Sequence, residues 1–76
     1  MKKMKIKLSS LFDVREFVKI VTAFDGDVDI CSGHHIVDAK SILGILAINR
    51  FKPLDVVVDR EEDAEKLFPS LEKFKA

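Results

Sequence analysis

The stretch DGDVDICSGHHIVDAKSILGILAI, Asp25–Ile48, decides the architecture of this chain. Asp25-Gly26 is a turn pair that stops the segment before it. DVDIC then alternates: Val28 and Ile30 point one way, Asp27 and Asp29 the other, which is the period of a half-buried strand. Ser32-Gly33 predicts a hairpin turn and HIVD the return strand. That strand is short and polar at both ends, as befits a sheet edge. After Lys40 the pattern changes. Ser41 opens a run that is almost wholly apolar to Ile48. The run is too short for the roughly 20 residues of a membrane span and too apolar for an ordinary surface helix. Ile45 and Ile48 lie on a different side of such a helix from Ile42, Leu43 and Leu46, so a single core cannot absorb them all. The stretch therefore predicts a short helix that packs inward by one face and offers the other to a partner, with Ser41 at its mouth.

Working outward, KIKLS alternates with Ile6 and Leu8 inward and Lys5 and Lys7 outward, a second half-buried strand. In SSLFDVREFVKIVTAFDGD, Val14, Phe17, Val18, Val21 and Phe24 recur at helical spacing, with Arg15, Glu16, Lys19 and Thr22 off the stripe. Ser10 caps this helix, or Asp13 does with Glu16 completing a box. Asn49 to Pro53 is a connection, because Pro53 bars helix. LDVVVD is a strand whose consecutive valines predict that both faces are partly covered. Asp59 is placed to cap a last helix with Glu62 three residues on. Its stripe is Ala64, Leu67, Phe68, Leu71 and Phe74, and Pro69 predicts a kink or a restart near Phe68. The order is βαββαβα. It predicts an α+β open-faced β-sandwich, a four-stranded antiparallel sheet covered on one face by three helices.

At 76 residues the chain is one domain, 1–76, near the lower limit for independent folding. So small a fold has little room for an elaborate active-site cavity, so binding is expected rather than catalysis, and no cofactor. Lys plus Arg and Asp plus Glu both total 13, a net charge of zero. That balance argues against nucleic acid, which is held by clustered basic residues, and against an electrostatic hold on membranes. MKKMKIK is the basic cluster, and its alternation reads as a solvated strand edge. One cysteine, Cys31, excludes an internal disulfide, and no signal-peptide pattern precedes the first strand; the expected compartment is a reducing cytoplasm.

The element order, with DAKSILGIL opening the second helix, resembles HPr, the histidine-containing phosphocarrier of the bacterial sugar phosphotransferase system. The resemblance is clearest from Asp25 to Ile48, where DGDVDI, a glycine hairpin, a strand ending in Val37 and the Lys40-Ser41-Ile42…Gly44 block follow in HPr-like order. It implies the same fold over most of the chain. HPr carries its phosphohistidine at the mouth of the first helix, followed by arginine and proline. Here the stretch is LSSLFDVRE, with Ser9 or Ser10 near the histidine position. A serine phosphoester lacks the transfer potential of a phosphoramidate, so the chain reads as a divergent member without phosphohistidine transfer. HPr of Gram-positive bacteria also has a regulatory serine at the start of its second helix. An ATP-dependent kinase/phosphorylase phosphorylates it, and the product binds a catabolite-control transcription factor. Ser41 stands at that position, and Ile42, Leu43 and Leu46 match the apolar docking patch beside it.

The resemblance thus implies a non-enzymatic regulatory or adaptor protein, phosphorylated on Ser41, that binds partners through Lys40, Ser41, Ile42, Leu43 and Leu46. Its partners would be the HPr kinase, a catabolite-control transcription factor or phosphotransferase components, and the chain itself a monomer or weak homodimer. On the residues alone Ser41 reads first as a plain helix cap, and it is the resemblance that brings the phosphorylation reading level with it. For the patch, partner binding is the first reading, and the other is a surface buried by the sheet and neighbouring helices or in a dimer. A third reading keeps the fold as an oligomerising module. His34 and His35 offer an alternative, a phosphocarrier using a displaced histidine. Adjacent strand residues point to opposite faces, so the pair does not chelate one ion. Cys31-x-x-His34 supplies at most two of the four ligands of a structural zinc site, and no metal is expected. Glu61, Glu62, Asp63 and Glu65 open the last helix, where negative charge is stabilising.

Overall fold

Alternation begins at the first lysine: β1 runs Lys2–Ile6, and Met4, Ile6 and Leu8 are buried while Lys3, Lys5 and Lys7 are exposed. The structure is a computed structural model describing residues 1–48 and 51–76. After β1 come α1 (Leu11–Ala23), β2 (Asp29–Ser32), β3 (His35–Asp38), α2 (Ile42–Ala47), β4 (Leu54–Val58), α3 (Glu61–Leu67) and a 3-10 helix (Phe68–Phe74). The strands form one antiparallel sheet in the order β1-β4-β2-β3. This is the α+β, βαββαβα open-faced sandwich that the periodicities predict. Of the expected connection Asn49 to Pro53, Asn49 and Arg50 lie outside the described residues; Phe51–Pro53 is not helical.

One side of the sheet makes the core. Ile6, Ile30, Leu54, Val56 and Val58 meet Val14, Phe17 and Val21 of α1, Ile45 of α2, and Ala64, Leu67, Leu71 and Phe74 of the C-terminal helices. Phe17 is fully buried, edge-on to the Phe74 ring at 6.0 Å, a geometry that adds to the area both rings remove from water. The other side is open and lined by Lys3, Lys5, Asp55, Cys31, Asp29, Ile36 and Asp38, as the strand registers require. Val57 faces this side yet is only 8 % exposed and does not belong to the core cluster. Its cross-strand neighbours on that face are Lys3 and Asp29.

Two local details differ from the sequence reading, and a third decides between its alternatives. The hairpin turn is Gly33-His34, not Ser32-Gly33, because Ser32 pairs with His35 as the last rung. Gly33 has φ +60 while no other residue in the turn is left-handed, the pattern of a two-residue loop with glycine first. Ser10, not Asp13, caps α1, accepting from Asp13 N at 3.1 Å, while Asp13 Oδ2 accepts from Ser9 N at 3.1 Å. Asp59 does not cap α3. Its N-cap is Arg60, whose guanidinium contacts Asp63 at 3.4 Å and Glu62 at 3.0 Å, so charge within the first turn replaces a side-chain cap. Those carboxylates, Asp63 foremost, hold the Arg60 pKa above its ordinary value. Pro69 acts as expected: the α-helix stops at Leu67 and the chain restarts as a 3-10 helix.

Candidate functional site

Asp38 builds the entry to α2. Its carboxylate accepts from Lys40 N at 2.9 Å and its carbonyl from Ser41 N at 3.0 Å, a tight turn from β3 into the helix. Ser41 is then the N-cap, with Oγ accepting from Gly44 N at 3.1 Å and its carbonyl accepting from Ile45 N at 3.1 Å. Its side chain is half-buried. Gly44 lets the helix sit close to its own cap: a Cβ there would stand 3.3 Å from both Ser41 Oγ and Val37 Cβ. The close approach open to glycine is therefore used within the domain.

The helix splits as its angles predict. Ile45 is fully buried and Ile48 packs against the core, whereas Leu43 is 77 % exposed, Ile42 39 % and Leu46 38 %. Lys40 is placed differently. Its ammonium donates to the Phe24 carbonyl at 2.8 Å, tying the start of α2 to the end of α1.

The strand registers fix which loops meet. Ile6 pairs with Leu54, and Cys31 is level with Asp55. The start of α1, the chain entering β4 and the β2–β3 turn therefore share one end of the sheet. Leu11 (59 % exposed), Phe12 (69 %) and Phe51 (72 %) stand at that end. The sequence reading passed over all three. Phe12 had a legible signal: it sits four residues before Glu16 on the polar side of α1, where an apolar residue has no core to enter.

Ser9 and Ser10, which the resemblance sets near a phosphohistidine position, are exposed and engaged with Asp13 as described above. His34 and His35 are exposed in the hairpin at the same sheet end, with no side-chain hydrogen bond or ion pair among the described residues. Cys31 is a free, half-buried thiol, and among the described residues no three His, Cys, Asp or Glu side chains group as metal ligands. A shallow groove of about 580 Å³ lies elsewhere, between β1 and the C-terminal helices, over Ala64, Phe68 and Pro69 with Lys2 and Glu61 joined across its rim at 3.0 Å. Among the described residues no helix is long and apolar enough to cross a membrane. No protein-family model matches the chain, and neither a curated protein nor a solved structure matches it.

Proposed function

We propose that this domain is an HPr-like regulatory or adaptor protein of the cytoplasm, not an enzyme, that docks on protein partners through α2. Support comes from one observation above others: a helix that buries Ile45 still exposes Leu43, Ile42 and Leu46 beside a serine cap. Apolar surface kept open in so small a domain is characteristic of an interaction site. Partners of this class are an HPr-type kinase, a catabolite-control transcription factor and phosphotransferase components.

Ser41 is the switch in this reading. Its Oγ attacks the γ-phosphorus of ATP, the bond to the β–γ bridging oxygen breaks, ADP leaves and the hydroxyl proton passes to the kinase. The phosphoserine adds roughly −1.5 to −2 charge next to the apolar face. The Gly44 amide that now bonds Oγ is at hand for a phosphate oxygen. Incubation with a Gram-positive HPr kinase and ATP should add one phosphate to Ser41, found by mass spectrometry, and Ser41→Ala should remain unmodified. The phosphorylated form should perturb α2 resonances when titrated with the transcription factor. No added mass and no shift at Leu43 would overturn the proposal.

The shared sheet end of the histidine hairpin and the start of α1 favours a second reading, a phosphocarrier using His34 or His35. Labelled phosphoenolpyruvate with the upstream phosphotransferase enzyme distinguishes it. Acid-labile phosphate on either histidine would establish the carrier, and no label is expected if the adaptor reading holds.

A further inference from the structure

The two edges of the sheet are treated differently. At β1, Lys7 N donates to the Phe74 carbonyl at 2.8 Å and Ala76 N to the Lys5 carbonyl at 3.1 Å, so the C-terminus covers half of that edge. Lys2 and Lys3 guard the rest, since lysines along an edge oppose further pairing. The β3 edge has no lysine and, among the described residues, no strand or backbone segment bonded along it. Ala39 N donates to the Val28 carbonyl at 2.9 Å, which identifies that pair, and with it Ile30–Val37 and Ser32–His35, as the hydrogen-bonded rungs. The N–H and C=O of Ile36 and the N–H of Asp38 therefore point away from β2, without a partner among the described residues. The Asp38 carbonyl is already used by Ser41 N. Ile36 itself is 68 % exposed on the open face.

We infer that the β3 edge pairs antiparallel with β3 of a second copy of this chain, Ile36 opposite Ile36, extending the sheet across a two-fold axis. Three features favour this occupant and this register. The axis passes through Ile36, so the two exposed side chains meet on the same face. Ile36 N–H and C=O bond reciprocally, and each Asp38 N–H reaches the His34 carbonyl of the other copy, leaving the used Asp38 carbonyl alone. A register shifted to place Ile36 opposite Asp38 would spend that occupied carbonyl and lose the reciprocal pair. The side chains also match in charge. Each Asp38 comes level with the turn residue His34 of the other copy, whose imidazole is an N–H donor in either protonation state, so no like charges are brought together. A second copy at β1 would instead set lysine against lysine.

The strand is only four residues long, so the interface falls below the ~1,200 Å² of a stable complex and the association is weak. This surface is separate from the exposed face of α2, so neither inference depends on the other. Sedimentation equilibrium from micromolar to millimolar protein should show the apparent mass rising toward twice that of the monomer. Ile36→Pro removes an N–H that points away from β2, and Ile36→Lys places a charge on the axis. Both should remain monomeric at the highest concentration while keeping the parent circular dichroism, and if the proline variant fails to fold, the lysine variant decides. Lys3→Glu and Leu43→Lys should associate like the parent. A parent that is monomeric throughout would overturn the inference and leave the edge to a strand from another protein. So would a dimer that survives both Ile36 changes and is lost in Leu43→Lys.

Discussion

Ser41 is a structural residue whatever else it does, because it supplies the side-chain cap of a six-residue helix. Ser41→Ala should cost about 1 kcal/mol by chemical denaturation. A mutant that lost signalling while losing much more would report unfolding and not a missing phosphate. Asp29 links stability to pH. Burial first, then Asp38, Asp27 and Asp59, raise its pKa above the ordinary carboxylate value. The folded state thus holds this proton more tightly than the unfolded one. Its contribution to stability is present at low pH and is lost as pH rises through the raised value. Asp29→Asn should therefore melt higher than the parent at neutral pH, and the advantage should disappear once pH falls below the ordinary carboxylate value. An equal advantage at both pH values would mean that the raised pKa is not its cause.

At the scale of elements, α2 separates fold from docking. Ile45→Ala should cost about 2–5 kcal/mol, the range for emptying a large aliphatic site in a core. Leu43→Ala, at a site mostly in water, should change stability by no more than about 0.5 kcal/mol while weakening partner binding. Equilibrium unfolding of both variants beside a binding titration checks the split. Similar losses for the two would mean that Leu43 is covered in solution. α1 is anchored more deeply. Phe17 lies between the sheet and Phe74, and Phe17→Ala should cost about 3–5 kcal/mol. That is a large share of the ~5–15 kcal/mol available to a small domain, so this variant should be partly unfolded at room temperature.

For the whole molecule, the sheet order sets a gradient of stability. β4 lies between β1 and β2 and buries Leu54, Val56, Val57 and Val58. β3 is an edge bonded on one side only, leading into the shortest helix. Amide exchange should be slowest in β4, requiring global unfolding, and fastest in β3 and α2 through local opening. The proposed docking face and the pairing edge both lie in this softer region. Uniform exchange across the sheet would show instead that the domain opens only as a unit.

Periodicity alone determined the elements. Period-two alternation in KIKLS and DVDIC, helical stripes around Phe17 and Leu67, and the breaks at Gly26, Gly33, Pro53 and Pro69 are local, and backbone geometry leaves few ways to satisfy them. The cap at Ser41 and the division of α2 into Ile45 within and Leu43 without were legible for the same reason. Tertiary structure decided what depends on distant neighbours. Lys40 was expected on the docking surface, yet its ammonium is tied to the Phe24 carbonyl at 2.8 Å. Asp59 lost the cap of α3 to the charge pairs of Arg60. The gathering of Phe12, Phe51 and the histidine hairpin at one sheet end, and the contrast between a covered β1 edge and an open β3 edge, follow from the order β1-β4-β2-β3. No window of sequence contains that order, because strand pairing joins residues far apart in the chain and is fixed only when the core closes.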